Sequence, residues 1–158
     1  MKMNRICCVV FISLFGVISM SIGQTLKVRL IDARTGRPLQ NKKVEISYLY
    51  DKDQNTHGNL NNQLHFETNI SGEAQFSLPM PAPSHLSVNV QLSSKEWRCG
   101  CTMLTSTEAL ILNGFVGPEP DHGSTSKAFP REVMPGLILF TARPTTFFEK
   151  LMYPIMKE

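Results

Sequence analysis

The sequence predicts an all-β protein, a small antiparallel β-sandwich of about six or seven strands with a short C-terminal helix. First, apolar and polar residues alternate with a period of two along most of the stretch from residue 26 to residue 92, which places one face of each strand on a core and the other in water. Second, turn-forming residues separate these segments at hairpin spacing, with no helix between them. Third, the chain is long enough for one domain with a single core.

The N-terminal segment is expected to lie outside the fold. Two basic residues precede an uncharged run at 6–22, and small residues occupy the −3 and −1 positions of a cleavage site before Gln24. This pattern predicts a signal peptide at residues 1–23 and a protein exported to the periplasm, the cell surface or the medium. If the segment is kept instead of cleaved, it serves as an anchor and is the only contact with a membrane.

The predicted signal peptide carries most of the excess positive charge. Its removal takes away Lys2 and Arg5 and lowers the formal net charge from +3 to +1. A nearly neutral domain has no electrostatic basis for binding nucleic acid. Two of the four cysteines are also removed, which leaves Cys99 and Cys101 in an oxidising compartment.

Six strands are predicted in chain order. Five alternate, and the sixth is a continuous apolar run at 137–140 that indicates a more buried strand. Residues 51–62 are polar and predict an exposed loop, and residues 117–135 predict an irregular crossing. The core-facing residues of the five alternating strands are Leu26, Val28 and Leu30; Val44, Ile46, Tyr48 and Tyr50; Leu64 and Phe66; Ala74, Phe76 and Leu78; and Leu86, Val88, Val90 and Leu92.

Two short helices are expected in the C-terminal third of the chain. Residues 106–112 predict one that ends at Asn113-Gly114. Thr146 and Glu149 have the spacing of a capping box, and they predict a C-terminal helix that Pro154 ends or kinks. Its apolar stripe is expected to dock on the sandwich, or else to bind a partner together with Phe147. The stripe consists of Phe148, Leu151, Met152 and Ile155.

Several short motifs together resemble the carboxypeptidase regulatory-like domain. They are a strand at 28–32, the turn Thr35-Gly36-Arg37-Pro38, a second strand at 44–46 and a hairpin with the sequence TNISGEAQF at 68–76, where Asn69 replaces the usual Asp. The resemblance implies a transthyretin-like (prealbumin-like), immunoglobulin-like sandwich at 24–143 that is followed by an amphipathic tail at 144–158. It also implies an accessory, non-catalytic role, and the tail is similar to that of exported bacterial proteins bearing this domain.

The triplet Cys99-Gly100-Cys101 is the sharpest local motif. A disulfide within the triplet, metal ligation and bonds to other chains are the three interpretations. Closing a ring across one residue strains a disulfide, so the bond would be labile enough for thiol exchange. The spacing is not that of a structural zinc site, and no two of the four histidines have the close spacing of a metal motif. We therefore predict no metal and no cofactor.

Trp97 is the only tryptophan of the chain. It is expected to cover the end of the core, and the alternative is an exposed platform on which a sugar or peptide stacks. The sequence has no Gly-x-Ser-x-Gly nucleophile motif, so we do not expect an enzyme.

The leading functional hypothesis is an exported, non-catalytic binding or structural module that recognises another protein or an envelope component. Edge strands and the loops at 51–62 and 115–135 would form its contact surfaces. One alternative is a redox- or metal-linked envelope protein that acts through Cys99 and Cys101. The other is carbohydrate or small-ligand binding near Trp97.

Overall fold

A computed structural model describes residues 23–50, 63–118 and 134–152. Residues 1–22 of the predicted signal peptide, the loop at 51–62, most of the crossing at 117–135 and Ile155 lie outside the described residues. The described chain forms nine strands and two helices, namely β1 Thr25–Asp32, β2 Lys43–Leu49, β3 Gln63–Glu67, β4 Glu73–Ser77, β5 His85–Gln91, β6 Trp97–Cys99, β7 Thr102–Ser106, α1 Thr107–Asn113, β8 Phe115–Val116, β9 Leu137–Pro144 and α2 Phe147–Met152.

The strands form two sheets, which confirms the predicted β-sandwich. The first sheet has the order β4-β1-β9-β6, with β8 also paired to β9, and the second has the order β3-β2-β5-β7. Apolar residues of both sheets meet in one core. The two sheets therefore bury the inner faces of their strands against each other.

The first sheet differs from the expected antiparallel arrangement at β9. This strand pairs in parallel with β1, where Lys27 lies opposite Leu137, and in parallel with β8. Seven consecutive residues of β9 are buried, as is typical of strands in the interior of a mixed or parallel sheet. The continuous apolar run at 137–140 is thus the start of a central strand, and this strand extends to Pro144.

The predicted alternation holds on four strands and weakens on one. The core positions within β1, β2, β4 and β5 are buried, with a relative exposure of at most 9%. Tyr50 and Leu92, which were also predicted to face the core, follow the last residues of β2 and β5 and are only partly buried. On β3, Leu64 is 38% exposed and Phe66 is only partly buried, with its ring beside that of Phe76. The short strands β6, β7 and β8 were not expected from the sequence.

The prediction of a hairpin at 68–76 is wrong, because β3 belongs to the second sheet and β4 to the first, and the two strands do not pair with each other. The motif instead forms a tight turn that crosses from one sheet to the other. The Oδ1 atom of Asn69 accepts hydrogen bonds from the backbone N–H groups of Ser71 (2.9 Å) and Glu73 (3.1 Å), as an aspartate would. Thr68 is buried and donates its hydroxyl to the carbonyl of Leu39 at 2.7 Å. Gly72 has a φ of 69°, and a Cβ there would lie 2.5 Å from the carbonyl oxygen of Leu30. Only glycine fits this turn.

The first predicted helix is confirmed as α1. The Oγ atom of Ser106 accepts a hydrogen bond from the N–H of Ala109 at 3.0 Å, which is the usual N-cap contact. The helix ends at Gly114, whose N–H donates to the carbonyl of Leu110 at 2.8 Å. Because Leu110 is fully buried, α1 closes one end of the core.

Candidate functional site

The candidate site residues lie close together in the fold. Strand β6 pairs with the end of β9, so that Trp97 lies opposite Pro144 and Cys99 opposite Ala142. Helix α2 begins three residues after β9. We call β6, residues 142–144 and α2 the β6–α2 corner. Trp97, the cysteines and the C-terminal helix meet there, a proximity that the sequence alone did not predict.

The cysteine triplet forms the crossing between the two sheets. Cys99 ends β6 in the first sheet, and Thr102 begins β7 in the second. The structure joins Cys99 and Cys101 in a disulfide, with the two Cα atoms 5.1 Å apart. Cys101 is 5% exposed, and Gly100 packs so closely on Pro118 that a Cβ would lie 2.7 Å from its Cγ. The disulfide therefore fastens a tight, covered connection between the sheets.

We expect the disulfide to stabilise the fold. Replacing both Cys99 and Cys101 with alanine should lower the free energy of unfolding by about 1.5–2 kcal/mol, the contribution of a very short closed loop. Urea unfolding of the oxidised wild type and of the double variant measures this difference.

Reduction of the wild type provides the matched control, because it should lower stability by about the same amount and leave the double variant unchanged. Equal stability of the oxidised wild type and the variant would contradict the structural role. Loss of a cellular phenotype without loss of stability would support the redox alternative.

Trp97 lies at the margin of the core. The pairing with β9 directs the side chains of Trp97 and Cys99 to the core, against which both pack, and that of Arg98 to the opposite face. The Nζ atom of Lys42 lies 5.8 Å from the centroid of the indole ring, within the range of a cation–π contact. This is the position of a cap over the end of the core. Sugar binding near Trp97 stays a prediction.

Glu149 attaches helix α2 to the first sheet. Its Oε2 atom accepts a hydrogen bond from Nη1 of Arg143 at 2.8 Å, and its Oε1 atom accepts one from Nη2 at 2.6 Å. The backbone N–H and the hydroxyl of Thr146 donate to Oε2 at 2.8 and 2.9 Å. The side chain of Arg98 lies 3.9 Å away on β6. The predicted capping box thus exists, and its carboxylate also binds an arginine of the sheet.

These contacts also determine the charge state of the carboxylate. The hydrogen bonds from Arg143, followed by that from the backbone N–H of Thr146, hold the pKa of Glu149 well below its ordinary value. Glu149 is therefore ionised throughout the physiological pH range. The side chain of Arg143 is only 8% exposed, so this carboxylate compensates a buried positive charge.

The expected docking of the apolar stripe is wrong for the described helix. Phe147, Phe148 and Leu151 are 74%, 76% and 63% exposed. The helix faces the sheet with Glu149 because the buried guanidinium of Arg143 needs an opposite charge. The apolar side consequently faces away from the sandwich. Met152 is the last residue of α2.

The histidines and helices of the described residues form neither a metal cluster nor a membrane span. Within the ranges that the structure describes, no three His, Cys, Asp or Glu side chains are close enough to hold a metal ion. His65 is exposed on β3, Nδ1 of His85 lies 3.2 Å from the hydroxyl of Ser84, and the other two histidines lie outside the described residues. None of the helices described has the length and apolar character that crossing a membrane requires.

Comparison with known proteins gives a likeness in fold only. No protein-family model and no curated protein matches the chain. Among solved structures, the chain is similar to the shaft pilin SpaA from Lactobacillus rhamnosus GG, with 9% identity, a TM-score of 0.46 and coverage of 78% of this chain and 50% of the pilin. A mutant of that pilin gives 9% identity and a TM-score of 0.47, with 78% and 49% coverage. The chain thus spans about half the length of the pilin structures that it matches.

Proposed function

We propose that the chain is an exported, non-catalytic β-sandwich module that binds another protein or an envelope component through the outward apolar face of α2. In this proposal, residues 1–23 are the signal peptide and residues 24–143 are a sandwich of the carboxypeptidase regulatory-like type. Residues 144–158 form the tail that carries the binding helix. The sequence motifs at 28–76 support the family assignment, and the pattern before Gln24 supports export.

The observation that carries the proposal is the orientation of α2. A short amphipathic helix normally buries its apolar side against its own domain. Here the polar side is attached by Glu149, and three large apolar side chains are exposed. The rings of Phe147 and Phe148 lie 5.9 Å apart, edge to face, and form one continuous surface. A partner that covers such a surface gains roughly 1.5–3 kcal/mol for each side chain buried.

The attachment of α2 favours binding in a second way. Because Arg143 and Thr146 hold Glu149 with several hydrogen bonds, the helix is ordered before a partner arrives. Pre-ordering reduces the entropy that association must overcome. Lys150 is exposed on α2, and Arg143 already neutralises Glu149. Among the described residues of α2, Lys150 is the one cation, and this low positive charge suits an apolar groove on a protein better than an anionic lipid surface.

Photo-crosslinking in the cells that export the protein tests the proposal. A photoreactive amino acid in place of Lys150 should give one discrete crosslinked product. Phe148→Ser should lower its yield about tenfold, because a contact of about 1.5 kcal/mol or more is lost. The matched control is Ile70→Ser in the turn between β3 and β4, where the side chain is 80% exposed.

The control variant should crosslink like the parent protein. Both serine variants should keep the unfolding transition of the parent, because they alter exposed side chains. A crosslinked product of equal yield in all three proteins, or no discrete product in any, would contradict binding through α2.

A further inference from the structure

Among the described edge strands longer than two residues, β7 is the one without a charged residue. The edges β3, β4 and β6 carry Glu67, Glu73 and Arg98, and β8 is only two residues long. Charged side chains and prolines on an edge normally prevent strands of other molecules from pairing with it. β7 has the sequence TMLTS, with neither of these features. Among the described strands, β7 therefore has one edge without a neighbour and without a residue that blocks a further strand.

The hydrogen bonds beside β7 show which of its backbone groups face outward. The N–H of Val90 donates to the carbonyl of Cys101, and the N–H of Thr107 donates to the carbonyl of Ser84, both at 2.9 Å. Antiparallel ladders bond at every second residue. Met103 and Thr105 therefore bond to β5, and the backbone N–H and C=O groups of Leu104 point away from it.

Leu104 lies at the centre of this edge. Its side chain is 65% exposed, and it faces outward beside Ser87 of β5. Among the described residues, none outside the strands makes a backbone hydrogen bond to Leu104. The edge thus presents a donor, an acceptor and an apolar side chain at the same position.

We propose that β7 pairs with β7 of a second copy of this chain, antiparallel and about a two-fold axis. Leu104 then lies opposite Leu104 of the second copy, and Thr102 lies opposite Ser106. Each Leu104 donates its N–H to the other and accepts in return, and the two leucine side chains touch on the outer face.

The edge suits its own copy because it is self-complementary. A two-fold axis through Leu104 brings no charge against a like charge, and each outward donor meets an acceptor. The second sheet of one copy then joins the second sheet of the other to form one continuous sheet of eight strands. The contact is small, so the dimer is weak and reversible. It uses β7 and not α2, and is thus independent of the partner binding proposed above.

Sedimentation equilibrium of the purified exported chain tests the dimer. The apparent mass should rise from monomer towards dimer as the concentration increases from about 1 µM to about 1 mM. Leu104→Lys places like charges opposite each other and should abolish the rise, whereas Ile70→Lys and Phe148→Ser should keep it. A wild type that stays monomeric throughout, or a Leu104→Lys variant that dimerises like the wild type, would overturn the proposal.

Cysteine crosslinking tests the register. Opposed residues at a hydrogen-bonded position have Cα atoms about 5.5 Å apart, which a disulfide can span. Mild oxidation of Leu104→Cys should therefore give a covalent dimer at least about tenfold faster than oxidation of Ile70→Cys. Equal rates would overturn the pairing, as would capture of an added extended peptide by an otherwise monomeric chain.

Discussion

Replacing Phe140 with alanine is expected to lower the free energy of unfolding by about 3–5 kcal/mol. Phe140 is fully buried in the central strand β9, and its ring lies 6.1 Å from that of Phe115. Gly117 packs against the same ring so closely that a Cβ there would lie 2.6 Å from it. A truncated side chain therefore leaves a cavity that this crowded site cannot fill by small shifts. Urea unfolding followed by the fluorescence of Trp97 measures the loss.

The matched control is the same substitution in α2. Phe148→Ala should change stability by no more than about 0.5 kcal/mol, because the side chain is 76% exposed. A loss at Phe148 comparable to that at Phe140 would mean that α2 buries its apolar face in solution. The proposed binding surface would then not exist.

Replacing Arg143 with alanine is expected to lower the free energy of unfolding by about 2–4 kcal/mol and to release α2. Arg143 makes two short hydrogen bonds to Glu149, and its side chain is 8% exposed. Arg98 is the matched control, since it lies directly opposite on β6 but is 33% exposed and approaches Glu149 only to 3.9 Å. Arg98→Ala should lower stability by at most about 1 kcal/mol.

Two measurements distinguish the role of Arg143 from that of Arg98. Hydrogen exchange of the α2 amides should become fast in Arg143→Ala and stay slow in Arg98→Ala. The second measurement is the pH dependence of the free energy of unfolding, because the pKa of Glu149 is lowered in the folded protein. The stabilisation that ionised Glu149 contributes is fully present above the ordinary pKa of glutamate, and it declines as the pH falls towards the lowered pKa of the folded state. In Arg143→Ala, the free energy of unfolding should depend less on pH in the acid range. An unchanged pH dependence would contradict the attachment of α2 through Glu149.

The strands of the sandwich that follow period two could be predicted from the sequence. Residues such as Val28 and Val88 alternate cleanly because each strand has one face on the core and one in water. The strands β6, β7 and β8 could not be predicted, since two or three residues carry no period and β7 buries fully only Met103. These strands form because neighbouring strands offer hydrogen-bonding partners, a tertiary effect that local sequence does not report.

The candidate site could be predicted only as separate pieces. The capping box at Thr146 and Glu149 depends only on residues three apart in the chain, so its prediction from the sequence is confirmed. The direction of the apolar side of α2 depends on Arg143, which occupies a buried position at the end of β9. A period in sequence shows that a helix has an apolar side, but not whether a stronger ionic contact turns that side outward.

The pairing of β1 with β9 has a consequence for when the protein folds. Lys27 and Leu137 come from opposite ends of the described chain, so the central pair of the first sheet has a very high contact order and forms slowly. A chain that lacks β9 has only β4 to pair with β1. The first sheet can therefore be completed only after the last strand has been synthesised, so this sheet forms after translation rather than during it.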